Sequence, residues 1–155
     1  MTTPRFTPVR GARRRAAPVD PVDSFAVVSP DEVLVRRLVR ADDPYLEGHY
    51  PEVTVYPGVF LVESVCQAVL HLLWETRGED LHVEPLRIDA LRFTAAFAPG
   101  DEIEAGCTCR ALTADTLAVT GLVTKGGTKA ATVRMTLRVL PGRDAAEEGP
   151  DASAA

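Results

Sequence analysis

Between residues 49 and 63 the chain places a histidine, a Pro-Gly pair and a glutamate, with a glutamine four positions further on. His49 lies in Gly48-His49-Tyr50-Pro51, where the glycine and proline favour a tight turn. Imidazole is the side chain best suited to take and return a proton near neutral pH. Pro57-Gly58 stands where an apolar run starts, which suits a helix N-terminus: proline supplies a helix-ready φ and glycine lets another group approach the backbone. The first N–H groups there have no intrahelical partner, so they attract anions and developing oxyanions. Glu63 is flanked by Leu61, Val62 and Val65. Apolar surroundings favour the protonated form of a carboxyl, which can then donate. Gln67 shares its helical face and can hold that carboxyl. A base, an acid and a charge-receiving backbone are the parts of acid–base catalysis.

The elements that must position these groups follow from the apolar pattern. From Val59 to Trp74 the only strongly polar side chains are Glu63, Gln67 and His71. A helix apolar nearly all round must be buried, and this one is too often interrupted for the ~20 residues that cross a bilayer. It ends near Arg77-Gly78, a basic residue and then glycine. Strands are expected at 24–28 and 33–39 around the turn Ser29-Pro30-Asp31-Glu32, and at 86–95 and 102–112 around Pro99-Gly100. Two more, 116–124 and 128–139, flank Gly126-Gly127. One long helix with antiparallel strands is an α+β arrangement, and a single sheet curled around the helix would satisfy both patterns. Residues 1–22, with five arginines among prolines, read as a flexible basic arm; 23–140 as one domain; and 141–155 as a disordered tail.

Gly48-His49-Tyr50-Pro51, Tyr56-Pro57-Gly58-Val59 and Glu63 with Gln67 together resemble the signature of the (3R)-3-hydroxyacyl-acyl-carrier-protein dehydratases of the FabZ and FabA type, which are hot-dog-fold enzymes. The step of fourteen residues from His49 to Glu63 fits that signature without a gap. Arg87-Ile88-Asp89-Ala90-Leu91-Arg92-Phe93, followed by Pro99-Gly100-Asp101, is similar to the family's next strand and turn. The resemblance covers about residues 24 to 140. It implies a curled antiparallel sheet around a long central helix, and dehydration of 3-hydroxyacyl thioesters to trans-2-enoyl thioesters in fatty-acid or polyketide synthesis.

In that chemistry His49 removes the C2 proton, Glu63 protonates the departing hydroxyl and the Gly58 N–H stabilises the thioester oxygen. Gln67 supports Glu63, while Tyr56, Phe60, Leu61 and Phe93 line the tunnel for the acyl chain. No metal or organic cofactor is implied; the substrate arrives on the phosphopantetheine of an acyl carrier protein. The family's sites take histidine and acid from different subunits, which implies a homodimer at least, or a heterodimer with a related hot-dog subunit. Pairing across a dimer would also cover the sheet's exposed edge. Glu52 stands where the family usually has glycine, and Tyr56 replaces a smaller apolar residue. Glu rather than Asp at position 63 resembles the FabZ type.

A formal net charge of −5 opposes general nucleic-acid binding. Arg37, Arg40 and the N-terminal arm are the basic groups that could face an acidic carrier. Three cysteines, Cys66 and Cys107-x-Cys109, form neither a disulfide framework nor a spaced metal set. The charged start is not followed by the apolar stretch of a secretory signal, so a cytoplasmic location is expected. His71 lies about 12 Å along the helix from Glu63, too far to pair with it, and is expected to be buried structurally. His82 is expected to face solvent. Two other functions compete: thioester hydrolysis on the same fold, and a non-catalytic subunit that completes a partner's site.

Overall fold

The apolar run after Pro57-Gly58 forms a single helix, α1 (Val59–Arg77), whose last turn carries Arg77 ahead of Gly78. Residues 3–10, 20–50, 52–78 and 81–142 are described by the computed structural model. Val65, Ala68 and Val69 of α1 are wholly buried, with Leu61, Leu70, Leu72 and Leu73 nearly so. Each such Val or Leu contributes on the order of 1.5–3 kcal/mol of burial. By length and apolarity alone α1 could cross a membrane, but 67% of its most apolar window is buried inside the fold.

Seven strands surround it: β1 (Thr7–Pro8), β2 (Ser24–Ser29), β3 (Glu32–Leu38), β4 (Leu81–Phe93), β5 (Glu102–Ala111), β6 (Thr116–Lys125) and β7 (Thr128–Pro141). They make one sheet in the order β1-β2-β3-β5-β6-β7-β4, with every pairing antiparallel. Alternation turns one face to the helix. On β5 the buried set is Ile103, Ala105, Cys107 and Cys109; on β7 it is Val133, Met135, Leu137 and Val139, with Arg134 and Arg138 outside. The α+β hot-dog arrangement expected from the sequence is the one found.

Most strand ends fall within two residues of the expected ones; the start of β4 does not. β4 begins at Leu81 rather than at 86, because β7 runs on to Pro141 and pairs Leu81 with it. Pro85 is tolerated inside β4 because this is an edge strand, and the register shifts between Pro85 and Arg87 and again between Ile88 and Ala90. Residues 3–10, expected to belong to a flexible arm, are placed against the sheet. Thr7 and Pro8 pair with Phe25 and Ser24, Val9 is 4% exposed, and the Arg36 guanidinium lies 3.9 Å over the Phe6 ring. Two apolar side chains hold residues 3–10 because they dock on a sheet edge already formed, whereas composition alone weighs them against the arginines. Residues 11–19 and 143–155 lie outside the described residues.

One strand is left incompletely covered. Ile88, Leu91 and Phe93 of β4 pair with Met135, Val133 and Ala131, on the helix-facing side of β7. Those β7 partners are buried, yet Ile88, Leu91 and Phe93 remain 48%, 39% and 49% exposed.

Candidate active site

The segment between β3 and α1 carries the histidine. Gly48 takes φ +81°, a conformation that favours glycine, and the turn is closed by Leu46 N–H to Asp43 O (3.1 Å) and His49 N–H to Leu46 O (3.5 Å). Pro51 of the same turn lies outside the described residues. His49 Nδ1 is 2.8 Å from the Val55 carbonyl oxygen. A carbonyl only accepts, so Nδ1 carries the proton and Nε2 holds the free lone pair, the form of imidazole that acts as a base. The Tyr50 ring stands edge-on to it at 4.5 Å.

His49 opens on a cavity of about 470 Å³ whose walls include Val55, Tyr56, Gly58, Leu61 and Phe93. The far wall is the stretch from Thr94 to Phe97, which the sequence reading did not single out. It is tied down from several sides. Tyr56 N–H donates to Phe97 O (2.8 Å), Thr94 N–H to Ala130 O (2.7 Å) and Lys125 Nζ to Ala96 O (3.1 Å).

Gly58 is the N-cap of α1, with no side-chain cap and no acidic residue in the first turn. This helix start is thus open to negative charge from a ligand. The Phe93 ring lies directly over it: a Cβ at position 58 would stand 2.9 Å from the ring carbons. Only glycine leaves room for that ring and for a backbone N–H beneath it.

Glu63 is half-buried, and its Oε1 accepts a hydrogen bond from Gln67 Nε2 at 2.9 Å, the pairing expected from their spacing. Within one chain it is not among the residues that line the His49 cavity. Phe60 does not line it either; its ring packs on Tyr45 (4.3 Å) behind Tyr56. Tyr56 is 3% exposed, and burial pushes its phenol far above the ordinary tyrosine value. The rival His71 is 2% exposed and stacks on Phe25 at 4.6 Å, with Trp74 edge-on, as a structural residue would. His82 and Glu52 are exposed.

Arg37 is not the surface cation expected from its sequence. It is 4% exposed and donates to Asp43 Oδ1 (2.5 Å), Tyr45 Oη (2.9 Å) and Asp23 Oδ1 (3.3 Å). Burial alone would lower its pKa, but Tyr45, Asp43 and Asp23 outweigh it and hold the guanidinium charged. Removing one partner of such a buried pair costs about 3–5 kcal/mol. The signal was legible: Val33, Val35 and Arg37 fall on alternate positions of β3, which turns all three inward.

All three cysteines are free and buried; burial pushes the Cys66 thiol up to about 12 and Cys109 to about 11. Among the described residues, no group of His, Cys, Asp and Glu is placed to hold a metal ion.

A family model described as "ApeI-like: ApeI dehydratase" matches residues 26–125. The 3-hydroxyacyl-[acyl-carrier-protein] dehydratase FabZ of Thermotoga neapolitana is 35% identical over 83 residues, which cover 53% of this chain and 58% of that protein. The FabZ of Streptococcus agalactiae is 33% identical over 97 residues, 61% of this chain and 69% of that one. The chain thus spans little more than half the length of the first of these relatives. Among solved structures, the dehydratase heterocomplex ApeI:P from Xenorhabdus doucetiae superposes with a TM-score of 0.72 at 21% identity, covering 90% of this chain and 95% of that one. The fluoroacetyl-CoA thioesterase FlK superposes with a TM-score of 0.60 at 15% identity, over 77% and 96%. At such identities both likenesses concern the fold.

Proposed function

Because the chain belongs to the ApeI-like dehydratase family, we propose that it removes water from (3R)-3-hydroxyacyl thioesters carried on an acyl carrier protein, giving trans-2-enoyl thioesters. The observation that carries the reading is the His49 Nδ1–Val55 O hydrogen bond, which leaves Nε2 as a base in the same cavity as the Gly58 helix start. His49 Nε2 takes a proton from C2 while the Gly58 N–H receives charge on the thioester oxygen. Electrons from the C2–H bond form the C2–C3 double bond, the C3–O bond breaks, and Glu63 gives its proton to the leaving hydroxyl, which departs as water. The proton on His49 returns to the Glu63 carboxylate through solvent before the next turnover.

Glu63 reaches that cavity from a second subunit. Two observations support this: Glu63 is absent from its own chain's cavity wall, and Ile88, Leu91 and Phe93 lie open on edge strand β4, where a second sheet would continue the first and bury them. The mate is a second copy of this chain or a related hot-dog subunit; the likeness to a structure described as a heterocomplex keeps the second form in view. Val55, Leu61, Phe93 and Phe97 offer an apolar bed for the acyl chain, and Tyr56 shortens it relative to a smaller residue. Exposed Arg92, next to Phe93, and Arg134 on the outer face of β7 are available to an acidic carrier. We place the reaction in the cytoplasm.

Incubation with (3R)-3-hydroxyacyl-carrier thioesters of several chain lengths tests the reading. An absorbing enoyl thioester supports it. Release of free thiol would assign hydrolysis instead, and inactivity alone that is restored by a second hot-dog subunit would assign a half-site role.

A further inference from the structure

The segment that presents His49 runs from Val39 to Gly58, with no helix or strand among its described residues. A loop of that length keeps a side chain in one orientation only if something fastens it. The fastening is lopsided, and it converges on one guanidinium.

Arg37 lies on β3, inside the sheet, and its Nη2 alone holds both Asp43 and Tyr45 of the loop. Asp43 is itself 8% exposed, and its Oδ2 accepts the Arg40 N–H at 3.0 Å. Asp23 balances the other side, taking Arg37 Nη1 and Arg40 Nη2 on Oδ1 and the Leu38 N–H on Oδ2. Arg37 and Arg40 are thus joined through Asp23 and Asp43.

Two routes lead from it to the imidazole. The first is backbone: Asp43 O receives Leu46 N–H, and Leu46 O receives His49 N–H, so Asp43 sets the turn that carries His49. The second passes through rings: Tyr45 stands edge-on to Tyr56 at 5.4 Å and lies 4.3 Å from Phe60. Tyr56 directly follows Val55, whose carbonyl accepts the His49 Nδ1–H. The turn beneath the imidazole and the acceptor that selects its tautomer both trace back to Arg37.

We propose that Arg37, acting through Asp43 and Tyr45, is a positioning residue that holds His49 in its Nδ1–H tautomer with Nε2 available as the base. The proposal deepens the dehydratase reading and rests on it for its kinetic part only. Arg37 touches no substrate; its planar fork holds Asp23 on Nη1 while Nη2 holds Asp43 and Tyr45, a spread of three acceptors over two nitrogens that the single ammonium of lysine cannot reproduce.

The test uses the full chain, with Arg37→Lys, which keeps the charge and loses the fork, and Tyr45→Phe, which keeps the ring and loses one acceptor. Heteronuclear NMR of the imidazole carbons and nitrogens reports the His49 tautomer without any turnover. The expected result is a wild-type His49 that is Nδ1–H, with both variants shifted towards a mixture of tautomers. Turnover of the 3-hydroxyacyl thioester should fall roughly ten- to a hundredfold in kcat, with KM within about twofold, as expected of a displaced base. Arg138→Gln, exposed on the outer face of β7 and outside this cluster, should leave the His49 spectrum at wild type. If Arg37→Lys fails to fold, Tyr45→Phe decides alone. A wild-type His49 spectrum in the folded variants overturns the proposal, and so does a shifted spectrum with unchanged kcat. Wild-type protein inactive on every thioester would count against the reaction assigned above, while the spectra still judge the tautomer.

Discussion

His49 gives its Nδ1 proton to the carbonyl of Val55 across 2.8 Å, a contact made within one loop of one chain, whereas Glu63 of that chain stands outside the cavity on which His49 opens. On the proposed reading the base is complete in a single subunit, and the acid comes from a second one.

This division makes complementation the sharpest test. His49→Ala and Glu63→Gln should each fold and lose most turnover. Mixed in equal amounts and allowed to exchange subunits, they should recover about a quarter of wild-type activity, since half the dimers are mixed and each mixed dimer keeps one of two sites. No recovery would place both groups in the same chain's site.

The open side of β4 carries the second prediction. Leu91→Asp puts a charge among Ile88, Leu91 and Phe93, where it meets solvent in one subunit but a dry seam in a pair. Sedimentation should show dissociation to monomers, with activity lost and the single-chain fold retained by circular dichroism. A stable dimer with the charge in place would move the interface elsewhere.

Gly58→Ala sets a methyl 2.9 Å from the Phe93 ring, closer than carbon atoms tolerate. Since Phe93 is half-exposed, its ring can swing away, so stability should change by less than about 1 kcal/mol. Activity should fall by more than tenfold, because the ring and the helix start bound the same space. Phe93→Leu in the Gly58→Ala background should recover part of the loss; an unchanged rate in Gly58→Ala would remove Gly58 from the oxyanion role.

The far wall of the cavity should respond to acid. Partial burial works to raise the Asp101 carboxyl, but hydrogen bonds from Lys125 and from the Ala98 N–H, together with the Lys125 charge, prevail and hold it below its ordinary value. A carboxylate whose folded pKa is lowered stabilises the fold above its unfolded pKa, near 4, and that stabilisation is lost as pH falls through the folded value. The thermal midpoints of wild type and Asp101→Asn should therefore differ at pH 7 and converge as the pH falls below about 4. The ammonium is 38% exposed on its side chain, which keeps the difference under about 1 kcal/mol.

The helix, the strand pairing around it and the His49, Gly58 and Leu61 side of the cavity were legible because each has a local cause. The apolar run of residues 59–74 must be buried, the Gly-Pro punctuation marks the turns, and a helix start has free N–H groups wherever it occurs. The stretch from Thr94 to Phe97 was not legible, because its place depends on a long-range bond from Tyr56 to Phe97 and on Lys125 reaching across from β6. The resemblance put Phe60 in the tunnel with Leu61, but helical geometry turns consecutive residues about 100° apart, and within one chain Phe60 packs on Tyr45. Arg37 was judged by its charge rather than by its inward register, and the register was the better guide.

The two margins of the sheet are not equivalent. One is β4, long and bare; the other is β2, of which Thr7 and Pro8 cover only Phe25 and Ser24, and Pro8 has no N–H to offer a further strand. Among the described residues β4 is thus the longer uncovered rail for a neighbour along the backbone hydrogen-bonding direction. Clipping away residues 3–10 would bare the whole of β2, and under the proposed pairing through β4 should let pairs associate further, visible as light scattering that grows with concentration.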